Sequence, residues 1–334
     1  MTTPRDGDAS IEKHEQRRDH CRRPPLSSTN TQVGRKDGNT VEYVTNFMDA
    51  SIDPAEWARR REDQGWDILS VADHFYTPGH PFPHVWVTAA ALAGATEHVG
   101  ITTAFVNNLF RSPVEVAQAA LMLHKVSNGR FELGLGAGWA EPEMLGAGMV
   151  YPAPRDRAGA FVEAAQIVRS LLHTGACEFS GEYYQIDIAD LGPVSDTPPL
   201  LVGSVGGPRT VREVTPHCDR VEIKASSAAT RGGVLDMAAM SQVTERHLLD
   251  MIDRVRAVDE SIELGMFVLC NAVDNERTRG IESMLGNSLF ARFFGAPQKV
   301  AEGLEWLDEL GIGRCQVSPL DDASFDLLAP LLFE

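Results

Sequence analysis

A chain of 334 residues, 43% hydrophobic and 23% charged, has the composition of a globular protein with ample core, in one large or two medium domains. Its formal net charge of −17 argues against nucleic acid or an anionic membrane as partner, so any anionic ligand must be met by local basic residues. The five cysteines form no Cys-x-x-Cys pair and no apolar run reaches the ~18 residues of a membrane span, which points to a reducing, cytoplasmic setting.

Residues 1–40 are polar, rich in Arg, Asp, Ser, Thr and Pro, and lack periodicity or the apolar core of a signal peptide. They read as a disordered tail, and Arg17, Arg18, Arg22 and Arg23 are nearly balanced by acids, against a nucleic-acid arm. Residues 41–334 read as a single domain in which strands and helices alternate. Val41 to Phe47 is a predicted strand. Asp53-Pro-Ala-Glu56 then offers an N-cap, a proline at N1 and a glutamate at N3. Strands are expected at 68–71, 99–104, 131–135, 200–202, 220–223, 264–270 and 314–317. Helices are expected from Val85, Pro113, Arg155 and Pro297. The helix from Pro113 should bury Val116, Ala119, Ala120, Leu123 and Val126 on one face, and Glu178 to Ile186 should be an excursion with a Ser-Gly turn. Eight strand–helix units call for a parallel sheet closed into a (β/α)8 TIM barrel, with insertions at the C-terminal face of the strands.

In such a barrel, chemistry sits at the carboxyl ends of strands. The fourth strand runs into Gly134-Leu-Gly-Ala-Gly-Trp139, where three glycines leave room for close backbone approach and Trp139 occupies the third-glycine place of a dinucleotide fingerprint. Asp73-His74, at the end of the second strand, is the best acid–base pair, since an adjacent carboxylate can hold an imidazole or raise its pKa; a capping Asp beside a structural His is the alternative. Ser204 to Thr210 puts two glycines and Arg209 at a helix start, which favours a phosphate site over an ordinary strand-to-helix turn. The spacing of His74, His80 and His84 matches no metal-ligand pattern, so no metal is expected.

Taken together, Ser127-Asn-Gly-Arg-Phe-Glu-Leu-Gly-Leu-Gly-Ala-Gly-Trp139, Val-Ala-Asp-His-Phe (71–75), Asn-Asn-x-Phe-Arg-x-Pro (107–113), Phe-Ser-Gly-Glu-Tyr-Tyr (179–184) and Gly-Ala-Pro-x-x-Val-Ala-Glu-Gly-Leu (295–304) resemble the luciferase-like oxidoreductase superfamily, over Val41 to Pro319. The resemblance implies a TIM barrel binding FMN or the deazaflavin coenzyme F420, and the pattern is most similar to the F420-dependent branch. It implies that Asp73, Asn107, Ala137, Gly138 and Trp139 surround the deazaflavin ring, that Gly206, Gly207, Arg209 and Thr210 take the phosphate, and that His74 is the acid/base in hydride transfer to or from a small organic substrate. The sugar-phosphate dehydrogenases of this branch have a catalytic glutamate where this chain has Trp139, and a lysine where it has Ser227. Sugar-phosphate oxidation is therefore not expected. An FMN-dependent monooxygenase fed by a flavin reductase, and a non-catalytic cofactor-binding paralogue, stay open; a homodimer is implied by the resemblance alone.

Overall fold

The computed structural model describes residues 41–77 and 80–333; the expected tail at 1–40 lies outside the described residues. Thirteen strands follow in chain order: β1 Glu42–Phe47, β2 Ile68–Val71, β3 Tyr76–Thr77, β4 His80–Pro81, β5 Gly100–Thr103, β6 Val106–Asn107, β7 Phe131–Gly136, β8 Cys177–Ser180, β9 Gln185–Ile188, β10 Leu201–Val205, β11 Arg220–Ile223, β12 Glu263–Cys270 and β13 Arg314–Pro319. Eight of these pair in parallel in the order β1-β2-β5-β7-β10-β11-β12-β13, and β13 returns to β1. The pairing of β7 with β10 completes the closure, with Leu133 opposite Leu201 and Leu135 opposite Gly203. The architecture is the expected (β/α)8 barrel, with helices on the outside.

Local chemistry explains the element boundaries. Asp53 caps the helix Pro54–Asp63, its carboxylate accepting the Glu56 N–H at 2.8 Å. The helix Pro154–Thr174 ends on Gly175 at φ +69, and its buried face carries Phe161, Ala164, Ala165, Val168 and Leu172 as expected. The helix Pro113–Val126 departs from expectation: Ala117 and His124 are on its buried face, while Val126 is exposed. His124 is held there because its two ring nitrogens meet the carbonyls of Phe131 and Thr197, at 2.9 and 2.8 Å. The excursion is an antiparallel hairpin, β8 with β9. The Glu163 carboxylate pins its turn by accepting the N–H groups of Glu182, Tyr183 and Tyr184.

Among the described residues, the first and last helices are stitched together by a buried cation. Arg61 is fully buried in Pro54–Asp63, yet its guanidinium meets Asp322 and Asp326 around the helix Ala323–Phe333 and lies between the Trp57 and Phe325 rings. That pairing is what makes the burial of its charge tolerable.

The amino-terminal ends of the strands carry a second charge cluster. Arg220 meets Glu42 at 2.8 Å, Glu132 at 3.4 Å and Glu263; Arg314 meets Glu132, and reaches Glu222 at 3.1 Å. Burial pushes the Glu222 carboxyl up to about 7, against the pull of Arg314. The folded state therefore holds a proton that the unfolded chain releases near 4.5, so this group's contribution to stability falls as pH rises from about 4.5 to 7. Glu222→Gln removes that titration. Relative to the variant, the wild-type melting temperature should decline by several degrees across this window; parallel melting curves would refute the assignment.

Candidate active site

The carboxyl ends of β2, β5, β7, β10 and β11 bring most of the expected residues to one face of the barrel. His74 follows β2 by three residues. Its Nδ1 lies 2.7 Å from Glu143 Oε1, and the other carboxylate oxygen accepts the Phe75 N–H at 2.8 Å. The Glu143 side chain is 1% exposed and that of His74 is 18% exposed, so the pair is buried on the carboxylate side and open on the imidazole side. For a neutral imidazole, a carboxylate accepting at Nδ1 selects the tautomer with the proton there and leaves Nε2 as the acceptor. Nε2 makes no hydrogen bond to a described residue. Phe82 and Trp139 flank the ring, at 5.0 and 5.6 Å between centroids.

The carboxylate that holds His74 is therefore not its sequence neighbour. Asp73 is buried and turned to the other side, where it accepts the Asn107 N–H at 2.7 Å and binds both terminal nitrogens of Arg111. Arg111 is packed in turn over the rings of Trp86 and Phe110. Asp73 thus joins the loop after β2 to β6. Glu143 is the partner of His74 that sequence reasoning missed. Its signal is an acid in the first turn of the short helix Glu141–Gly146, but proximity along the chain favours Asp73 as the partner of His74. Glu141, the other acid of that turn, lies against Gly233, with its N–H on the Gly233 carbonyl.

The three glycines at the end of β7 are required mainly by the chain itself. A Cβ on Gly134 would stand 1.9 Å from the Thr103 carbonyl oxygen, and one on Gly136 would press on Phe105 at 3.3 Å. Gly138 has φ +74, and its Cβ would meet Asn107 Oδ1 at 2.3 Å. The close approach expected of a ligand is made here by the segment Thr103–Asn107, which adds β6 to the edge of β7. Ala137 and Gly138 lie beside that segment. Asn107 Oδ1 accepts the Leu109 N–H, whereas its Nδ2 makes no hydrogen bond to a described residue. Asn108 Nδ2 is buried without a partner, while its Oδ1 accepts from the Tyr184 hydroxyl at 3.3 Å. The excursion thereby reaches the site, a contact that its position in sequence did not suggest.

The Gly206–Thr210 turn follows β10 and opens the helix Pro208–Val214. Two of its amides are already engaged: the N–H groups of Gly206 and Gly207 both donate to Thr210 Oγ1, at 3.3 and 3.2 Å. Arg209 pairs with Glu213 at 2.9 Å, which holds its guanidinium above its ordinary pKa. Ser227 donates to the Gly206 carbonyl at 3.1 Å, and a Cβ on Gly206 would collide with it. No hydrogen bond joins this turn to His74 among the described residues. Trp139 is anchored through its carbonyl, which accepts the Tyr151 hydroxyl at 2.8 Å. Among the described residues no group of three or more His, Cys, Asp or Glu side chains could hold a metal ion, and no helix is long and apolar enough to cross a membrane.

Several known proteins share this arrangement of elements. The chain is 20% identical to an F420-dependent secondary alcohol dehydrogenase solved with an F420–acetone adduct, with a TM-score of 0.69 over 87% of this chain and 98% of that one. The F420-dependent tetrahydromethanopterin reductase of Methanopyrus kandleri superposes with a TM-score of 0.63, at 15% identity over 88% and 99% of the two chains. At these identities the likeness establishes the fold. In sequence, the F420-dependent glucose-6-phosphate dehydrogenase of Amycolatopsis mediterranei is 32% identical over 160 residues, 47% of this chain and 48% of the relative. That of Kribbella flavida is 32% identical over 162 residues, with the same shares. The chain thus spans about half the length of the curated relatives it matches. The profile of the luciferase-like monooxygenase family matches residues 45–247, and the chain belongs to that family.

Proposed function

We propose that this protein is an F420-dependent oxidoreductase that moves a hydride between the deazaflavin and a small organic substrate, with His74 as the proton-transfer group. The observation that carries the reading is the His74–Glu143 pair, a 2.7 Å contact on a fully buried carboxylate at the end of a barrel strand. The F420 dependence of the similar proteins supports the choice of coenzyme.

The residues suit such a group. Asn108 Nδ2 is a buried donor with no partner among the described residues, and Asn107 Nδ2 is a second donor without one there; both suit the polar edge of a planar heterocycle. Gly207 is open: a Cβ there would have only Thr210 Oγ1 within 4 Å, so an anion could reach the helix start near Arg209. Asp73, by contrast, would act at the ring through Asn107 and Arg111, since both of its oxygens are engaged. Asn107, Ala137, Gly138 and Trp139 would border the ring, and Gly206, Gly207, Arg209 and Thr210 would hold the phosphate.

When bound, the deazaflavin supplies a two-electron hydride acceptor or donor. The chain's own part is proton transfer and shelter. As an alcohol is oxidised, its C–H hydride departs and its hydroxyl proton passes to His74 Nε2, forming an imidazolium beside the Glu143 carboxylate. In the reverse direction the same nitrogen returns the proton to the carbonyl oxygen. Trp139 and Phe82 flank the imidazole, which keeps an open side for the substrate.

Titration of the purified chain with coenzyme F420 and, separately, with FMN tests the coenzyme: the deazaflavin should bind at micromolar concentration, and binding of FMN alone would overturn the proposal. With an identified substrate, His74→Asn should lower kcat by roughly 10²- to 10⁴-fold while leaving the coenzyme Kd nearly unchanged. Equal losses in both would remove His74 from the chemistry. Glu143→Gln should lower kcat by roughly tenfold or more through loss of the charge facing the imidazolium. It should also lower the melting temperature, because Gln has only one acceptor for the two donors that Glu143 satisfies.

A further inference from the structure

Lys224 directly follows β11 on the same face of the barrel and is half-buried. Its ammonium lies 5.8 Å from the centroid of the Trp139 ring and 5.1 Å from that of Phe267, and it makes no hydrogen bond or ion pair to a described residue. Of the cations near this face that are not fully exposed, three others are engaged. Arg111 is taken by Asp73, Arg209 by Glu213, and Arg157 by the carbonyls of Pro152 and Arg231. The carboxylate acting on Lys224 is Glu222, two residues earlier, on β11 and bound by Arg314. A half-buried ammonium with aromatic walls and no ion-pair partner among the described residues is half of an ion pair.

His74 and Lys224 lie against one indole ring, each within 6 Å of its centroid. We propose that Lys224 is the cationic half of a substrate site whose proton-transfer half is His74, and that it selects a small hydroxy- or oxo-monocarboxylate. The inference rests on His74 as the group that exchanges the substrate's proton. One ammonium between aromatic rings matches one negative charge, which sets this site apart from one built for a phosphate dianion. The burial that leaves Lys224 unpaired also lowers its pKa to about 8, so the ion pair should weaken as pH rises through that value. The titratable groups near it are Glu222 below and, across Trp139, His74 with Glu143.

The test is calorimetric titration of the full chain, with and without coenzyme F420, using lactate, 3-hydroxybutyrate and mandelate, each against its neutral amide. At neutral pH at least one acid should bind roughly tenfold to a hundredfold more tightly than its amide. That preference should vanish in Lys224→Met, survive in Lys224→Arg, and fade at about pH 9.5 as the ammonium loses its proton. No preference for any acid, or a preference that Lys224→Met retains, would overturn the proposal. Because binding is read directly, loss of the carboxylate preference leaves the hydride-transfer reading standing. Failure of the chain to bind F420 defeats that reading without touching the carboxylate result.

Discussion

The two ends of this barrel are governed by one constraint: a buried charge must be paired. At the amino-terminal ends of the strands, Arg220 and Arg314 are shared among Glu42, Glu132, Glu222 and Glu263, which come from β1, β7, β11 and β12. Charges drawn from that many strands cross-link the closed sheet where no ligand is expected. Desolvation makes each of these ions costly alone, so removing one partner strands the others. The cluster therefore makes the strand register difficult to change and leaves the opposite face free to be built from loops.

On that opposite face the same rule divides the labour among acids. Asp73 and Glu143 both lie within reach of the loop after β2, yet they have separate partners. Asp73 neutralises Arg111 and ties down the Asn107 backbone, so it shapes the wall. Glu143 takes an imidazole and one backbone N–H, so the charge it offers is met by groups that hold no permanent positive charge. That difference is what the proposed proton-transfer role of His74 rests on, while Asp73 holds the wall.

The alternation of strands and helices was legible because apolar periodicity and proline-led helix starts are local signals. All eight barrel strands lie within a few residues of their expected positions, Arg220–Ile223 without any shift. The pairing of His74 with Glu143 was not legible, since it links residues 69 positions apart through a six-residue helix that has no apolar pattern of its own. The glycines of 134–138 were visible, but their reason was not: a glycine required by a neighbouring strand looks, in sequence, like one reserved for a ligand. Val126 shows the limit of face-counting. It keeps helical spacing with Leu123 yet stands in solvent at the helix end, while the polar His124 is buried because two carbonyls meet its ring.

Trp139 ties these threads together. In the relatives that oxidise a sugar phosphate, the resemblance places a carboxylate at this position, which would neutralise a nearby cation. An indole cannot; it offers a π face instead, with Lys224 on one contact and His74 on another. The exchange of an acid for an aromatic thus does more than remove a second acid–base group. It leaves an ammonium against the same indole as the imidazole, with no ion-pair partner among the described residues, and in the proposed reading that charge is met by the substrate.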